Sequence, residues 1–156
     1  MTVPTLSDTL SAILVNLAHL ALAFLLALPI GWDREQATRS AGLRTFPLVA
    51  LAACGFMLIG QRIGGSSPEA QARIMEGLIT GIGFIGGGAI LKSGTSVHGT
   101  ATAASIWLTG AVGAAVAYGL FEIAVTLSVI NFVTLRWLGG IKARLRASGS
   151  QETGEE

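Results

Sequence analysis

The sequence predicts an all-α integral membrane bundle of five transmembrane helices, with the N-terminus outside and the C-terminus cytoplasmic. Three observations predict it. Hydrophobic residues make up 51% of the chain and charged residues 12%, about half the charged share of a soluble domain. The charged residues fall in short stretches between long apolar runs. The basic residues also divide unevenly between alternate connections, as the positive-inside rule requires of a multi-pass protein. A net charge of +1 leaves no basic footprint for nucleic acid, and none is expected as a partner.

The first span covers about residues 10–32, and roughly 20 residues suffice to cross a bilayer. Pro29 is expected to kink or end it, and Trp32 suits the interface. No Lys or Arg precedes Arg34, so this segment lacks the basic start of a secretory signal and is expected to remain as a span. Asn16 and His19 are its polar residues, three apart and so on one face. Bonding across to a neighbouring helix is the preferred reading, and a proton or substrate path is the alternative.

A hydrophilic loop from Asp33 to Arg44 follows, then a second span at about 45–60. Thr45 is expected to cap that helix, with Pro47 in its first turn. Cys54 lies in this apolar run and reads as a small packed core residue. A short loop holds Arg62, Gly64 and Gly65, and Pro68 opens another helix. That helix begins polar, with Glu69, Gln71, Arg73 and Glu76, and becomes the third span at about 74–91.

The third span is rich in glycine: Gly77, Gly81, Gly83, Gly86, Gly87 and Gly88. In water each interior glycine costs a helix about 1 kcal/mol relative to alanine. In a bilayer the backbone must satisfy itself, and glycine lets two helices approach closely. Gly77-xxx-Gly81 and Gly83-xxx-Gly87 have the small-xxx-small spacing of such contacts. Gly81-x-Gly83-x-x-Gly86 also matches the dinucleotide-binding fingerprint. That motif needs a preceding strand, a following soluble helix and an acid about 20 residues on. Here it lies within an apolar helix, and the next acid is Glu122. Close helix packing is the better reading, with this span as the central helix against 100–117.

After a small polar loop from Lys92 to Gly99, residues 100–138 contain only Glu122 and Arg136 as charges. One helix of that length would reach roughly 58 Å, about twice the hydrocarbon thickness. Two spans, about 100–117 and 120–138, with a turn near Tyr118-Gly119, fit instead. Residues 141–156 form a polar cytoplasmic tail, basic first and then acidic, expected to be disordered. With five spans the inner side carries Arg34, Arg39, Arg44, Lys92, Arg136, Lys142, Arg144 and Arg146, against Arg62 and Arg73 outside. Merging the last two spans would move Arg136 and the basic tail outside, against the rule.

Three ordered blocks resemble the membrane region of the MgtC/SapB family. They are Gly31-Trp-Asp-Arg-Glu35, Ala41-Gly-Leu-Arg-Thr45, and Gly81-Ile-Gly-Phe-Ile-Gly-Gly-Gly88 continuing to Val97-His-Gly-Thr-Ala-Thr-Ala-Ala-Ser-Ile-Trp107. The resemblance covers about residues 10–140. Family members usually carry glutamate where Asp33 stands and histidine where Phe46 stands. Phe46 can neither ligate nor transfer a proton, which removes any role needing that histidine. The best-known members also carry a soluble C-terminal domain, whose properties are not carried over.

The resemblance implies a multi-pass bacterial inner-membrane protein associated with growth in low magnesium. It implies modulation of other membrane proteins more than direct magnesium transport.

The loop residues Asp33, Arg34, Glu35, Gly42, Arg44 and Thr45 are the candidate functional loop. Two carboxylates could hold hydrated Mg²⁺, but Arg34 sits between them and further arginines follow. Topology anchoring with interfacial ion pairs is the preferred reading, ahead of partner docking and a metal site. Glu76 and Glu122 fall near the outer ends of their spans, where a carboxylate reaches water cheaply.

Thr102 and Ser105, with the alanines and glycines around them, make the fourth span a packing partner for the third. Asn131 is polar within the fifth. No catalytic constellation, cofactor motif or metal-ligand spacing stands out, so an enzyme is not expected. The expected function is a non-enzymatic modulator embedded in the lipid bilayer that docks its spans against a partner membrane protein, or against copies of itself through the glycine-rich helices. The alternative is a small cation transporter or channel lined by Asn16, His19, Glu76, Thr80, Glu122 and Asn131.

Overall fold

The computed structural model describes residues 5–37, 41–65 and 67–138. The predicted tail at 141–156, and the cation Arg39, lie outside the described residues. Five helices follow in order: α1 (Leu6–Ala37), α2 (Thr45–Gly64), α3 (Pro68–Gly88), α4 (Thr100–Ala117) and α5 (Phe121–Val133). The last continues as a π-helical turn over Thr134–Leu138. Between α3 and α4 stands a hairpin of β1 (Leu91–Ser93) and β2 (Ser96–His98).

Contacts between named residues fix the direction of each helix. Gly31 lies against Leu43 and Pro47 at one end of α1, while Asn16 and Leu20 share a groove with Gly55 to Arg62. So α1 and α2 are antiparallel. Ile74 covers Gly60 and Ala70 approaches Gly64, which makes α3 antiparallel to α2. Gly86 meets Ala103 and Tyr118 donates to Gln71, so α4 reverses again. Asn131 bonds to Ser105, so α5 reverses once more. The chain therefore alternates end to end, and Asp33, Gly42, the hairpin and Arg136 gather at the end called here the clasp end.

Among the described residues, three helices are long and apolar enough to cross a membrane: α1, α2 and α4. Their hydropathy runs opposite to their burial. The crossing window of α1 has mean hydropathy 2.3 with 17% of it buried, and that of α4 has 1.4 with 56% buried. In lipid this is the expected sense, because the outer surface faces hydrocarbon while the interior takes small and hydrogen-bonded residues.

The central helix is α4, not the glycine-rich α3. Twelve residues of α4 are buried, from Thr102 to Ala117, whereas α3 buries only Ile82 and Gly86. Gly113 admits the α2 backbone, since a Cβ there would collide with the Ala50 carbonyl oxygen. Gly110 likewise admits the Ile82 side chain, which keys α3 onto α4. Phe46, Met57, Ile106, Val112 and Val116 fill the core between α2 and α4 and are almost fully buried.

Several expected boundaries move. The α1 helix passes through Pro29 without ending and includes Asp33, Arg34 and Glu35, which the sequence assigned to a loop. A proline inside a membrane helix is tolerated where packing re-satisfies the freed backbone groups, and Ile30 and Gly31 just beyond it are buried. Thr45 is the first helical residue of α2 rather than its cap; Arg44 holds the cap position without a side-chain bond. Residues to Gly64 extend α2 past its expected end near 60. At the start of α3, Ser67 Oγ accepts from the Ala70 N–H at 3.3 Å, with Pro68 in the first turn.

The α3 helix stops at Gly88, and the expected loop 92–99 is a hairpin with Leu91 opposite His98 and Ser93 opposite Ser96. Gly94, at φ 59°, opens its two-residue turn.

Candidate functional site

The candidate loop residues meet at the clasp end. Gly31 has no side chain, and a Cβ there would stand 3.2 Å from the Leu43 Cα. That lets the returning chain lie directly on α1. Glu35 Oε2 accepts the Leu43 N–H at 3.0 Å, and a Cβ on Gly42 would run into the same carboxylate. The Gly42 carbonyl in turn accepts from the N–H groups of Thr45 and Phe46, at 3.0 and 3.2 Å, starting α2. Glu35, Gly42 and Thr45 therefore form one structural clasp. Arg44 is exposed and makes no side-chain capping bond.

Asp33 and Arg34 are buried, although they are charged and adjacent. Arg34 donates to Asp33 Oδ2 from Nε at 3.2 Å and from Nη2 at 2.6 Å. On the far side of Asp33, Arg136 Nη1 comes within 3.7 Å of Oδ1. The π-helical turn carries Arg136, so this contact joins the end of the fifth helix to the end of the first. Burying the pair is paid back only by close geometry and added hydrogen bonds, and the short Arg34 contact meets that condition.

The two carboxylates are thus committed to different partners: Asp33 to arginines, Glu35 to a backbone N–H. No group of three or more His, Cys, Asp or Glu among the described residues is arranged to hold a metal ion.

A second polar cluster lies between α4 and α5. Ser105 Oγ donates to Asn131 Oδ1 at 2.7 Å, and Asn131 Nδ2 donates to the Ser105 carbonyl at 3.2 Å and to Thr109 Oγ1 at 3.4 Å. Thr109 Oγ1 donates back to the Ser105 carbonyl at 2.8 Å. Thr102 is buried one turn away. Ser128 donates to the Leu26 carbonyl at 2.7 Å, tying α5 to α1 as well. Sequence reasoning placed Ser105 against the third span; the structure places it against the fifth. Ala124, Ser128 and Asn131 recur at four and three residues, a small-and-polar stripe that could have revealed this face.

The remaining polar candidates are dispersed. Asn16 lines a groove between α1 and α2. His19 bonds the Val15 carbonyl through Nδ1 and lies 5.8 Å from the Phe121 ring. Glu76 is exposed, and its carbonyl accepts from Thr80. Glu122 lines a shallow depression with Ile123, Thr126 and Leu127. No hydrogen bond, ion pair or ring contact joins any two of these four side chains. The two larger grooves flank α3 and are lined by apolar side chains, glycines and the ring of Tyr118.

Of the glycines assigned to packing, only Gly86 packs within this chain, its Cβ position 3.1 Å from the Ala103 carbonyl. Gly77, Gly81, Gly83, Gly87 and Gly88 have nothing within 4 Å of theirs. The contact with α4 uses Ile82 and Gly86, four apart, while Gly77 and Gly81 line an open groove between α3 and α2 with Val49, Ala53 and Phe56.

The MgtC family model matches residues 20–144. The chain belongs to the MgtC family. It is 35% identical over 149 residues to Protein SrpB of Synechococcus elongatus, covering 88% of this chain and 80% of SrpB. It is 41% identical over 112 residues to Protein MgtC of Brucella abortus, covering 72% of this chain and 46% of that protein. Protein MgtC of Salmonella typhimurium is 38% identical over 112 residues, with 72% and 47% covered. The chain thus spans about half the length of these MgtC relatives. No solved structure matches. The clasp, the Asp33 cluster, the hairpin and α4 all fall inside the family region.

Proposed function

We propose that this chain is a non-enzymatic bacterial inner-membrane protein of MgtC type that modulates partner membrane proteins by docking against them, in magnesium limitation or stress adaptation. It crosses the bilayer five times, with its N-terminus outside and its C-terminus cytoplasmic. The alternating direction of the five helices supports five crossings. So does the length of α5 with its π-helical turn, Phe121 to Leu138, roughly 27 Å at 1.5 Å per residue. Arg34, Arg44, Lys92 and Arg136 at the clasp end, against Arg62 and Arg73 at the other, support a cytoplasmic clasp end.

The observation that carries the docking role is the glycine-rich surface of α3. Five of its glycines have open space where a side chain would be, Gly77 and Gly81 among them in a groove beside α2, and Phe84 is 86% exposed. A small-xxx-small face lets a second membrane helix approach to backbone distance, where van der Waals packing replaces the missing hydrophobic drive. Asn16 lines the α1–α2 groove, His19 lies against Phe121 and Asn131 is bonded between α4 and α5, an arrangement that counts against a continuous polar path through one chain.

The test pairs two measurements. The purified chain alone in liposomes is expected to show no cation uptake. An affinity-tagged chain is expected to co-purify a membrane protein that is lost on Gly81→Leu, a substitution facing open space in the isolated bundle. Selective, saturable uptake abolished by neutralising Glu76 or Glu122 would replace this reading with that of a transporter. Recovery of a second copy of the chain alone would replace it with self-association.

A further inference from the structure

The groove between α1 and α2, at the end far from the clasp, has an order of polarity that matches a phospholipid. It is an open groove of about 200 Å³, lined by Asn16, Leu20, Gly55, Leu58, Ile59 and Arg62. Arg62 lies in the last turn of α2 and is exposed. No described carboxylate forms an ion pair with it within 4.0 Å. Asn16 belongs to the outer part of α1, and its amide makes no hydrogen bond to any described residue. An unbonded amide inside a membrane helix is unfavourable unless something outside the chain satisfies it. Further toward the clasp, the lining is Leu20, Gly55 and Leu58, and a Cβ on Gly55 would meet Leu20 Cδ2 at 4.0 Å, an ordinary contact.

We infer that this groove binds one anionic phospholipid, with its phosphate on Arg62, an ester oxygen on the Asn16 amide and an acyl chain over Gly55. The charge selects the headgroup. A guanidinium presents paired donors that match phosphate oxygens, and without a carboxylate beside it the site favours a net negative ligand. The size suits the tail: an open groove of about 200 Å³ seats part of a single hydrocarbon chain. The order selects the whole molecule: cation at the rim, amide donor next, apolar trough beneath.

Native mass spectrometry of the detergent-purified chain tests this with three probes: phosphatidylglycerol, a diacylglycerol lacking phosphate, and glycerol 3-phosphate lacking acyl chains. Wild type is expected to retain phosphatidylglycerol and neither of the others. Arg62→Gln should weaken retention about tenfold, the loss of one charge-assisted contact. Gly55→Leu fills the trough while keeping the charge and should weaken it similarly. Arg73→Gln, an exposed cation on α3, should leave it unchanged. Circular dichroism confirms that each variant is folded, and Gly55→Leu serves if Arg62→Gln is not.

Equal retention by folded Arg62→Gln or Gly55→Leu and wild type overturns the proposal. Equal binding of glycerol 3-phosphate reduces the site to a free-phosphate contact, and equal binding of diacylglycerol reduces it to a trough without headgroup recognition. Parallel loss in Arg73→Gln reduces it to general charge attraction. Each of these three also overturns it.

Discussion

Replacing Gly113 by alanine should separate the two helices that hold the bundle together. The added Cβ would collide with the Ala50 carbonyl oxygen, stand 2.9 Å from its carbon and lie 3.0 Å from the Ala53 Cβ. All three obstacles are backbone or a short side chain on α2, so no flexible group can swing aside. Ordinary van der Waals contact begins at 3.4 Å, and relief needs α2 and α4 to part by about 1 Å. A gap of that size forfeits roughly a quarter to a half of the dispersion energy along the seam.

Overpacking of this kind costs about 3 kcal/mol where the backbone must move. The matched control is Gly81→Ala, whose Cβ meets nothing within 4 Å; it should change stability by less than about 0.5 kcal/mol. Equilibrium unfolding in mixed micelles, followed by circular dichroism, measures both. Wild-type stability of Gly113→Ala, or equal losses in the two variants, would refute the assignment of α4 as the central helix.

Other outcomes follow from the same geometry. Asn131→Leu should destabilise by about 1–2 kcal/mol in the same assay, since it removes the bonds to Ser105 and Thr109. Asp33→Ala should cost about 3 kcal/mol by breaking a buried pair. Arg136→Gln should cost under about 1 kcal/mol, because that side chain is 61% exposed and 3.7 Å away. Gly99→Ala should raise hydrogen exchange across β1 and β2: Gly99 has φ 85°, and a Cβ there would strike the Ala89 carbonyl oxygen.

The helix content and the turns were legible because hydropathy and punctuation report them directly. Pro68 starts α3 behind a capping Ser67, and Gly119, at φ 70°, separates α4 from α5. The facing of each helix was much less legible. Periodicity finds the inner face of a helix by contrasting core with water, but lipid is as apolar as a core. Thus Gly81 and Gly113 look alike in sequence, yet one lines an open groove and the other admits a neighbouring backbone.

Charge gave a false boundary at Asp33 for a related reason. A charged triplet reads as loop unless its pairing is visible, and here Asp33 is held by its own neighbour Arg34 at 2.6 Å inside the end of α1. The hairpin was hidden because Lys92 to His98 is short and mostly polar. The stripe of Ala124, Ser128 and Asn131 could have been read and was not.

The inverted relation between hydropathy and burial has a consequence for how the protein is made. A ribosome delivers α1 first, and its apolar surface lets it partition into lipid with no help from the rest of the chain. The α4 helix arrives with Thr102, Ser105 and Thr109 and a weaker claim on the hydrocarbon. By then α1, α2 and α3 are already in place, and they offer a prepared slot lined by Ala50 and Ile82. Its own polar groups stay open to Asn131 until α5 emerges and closes over them. Synthesis order and packing order therefore coincide, and the least apolar of α1, α2 and α4 enters when most of its protein surroundings exist.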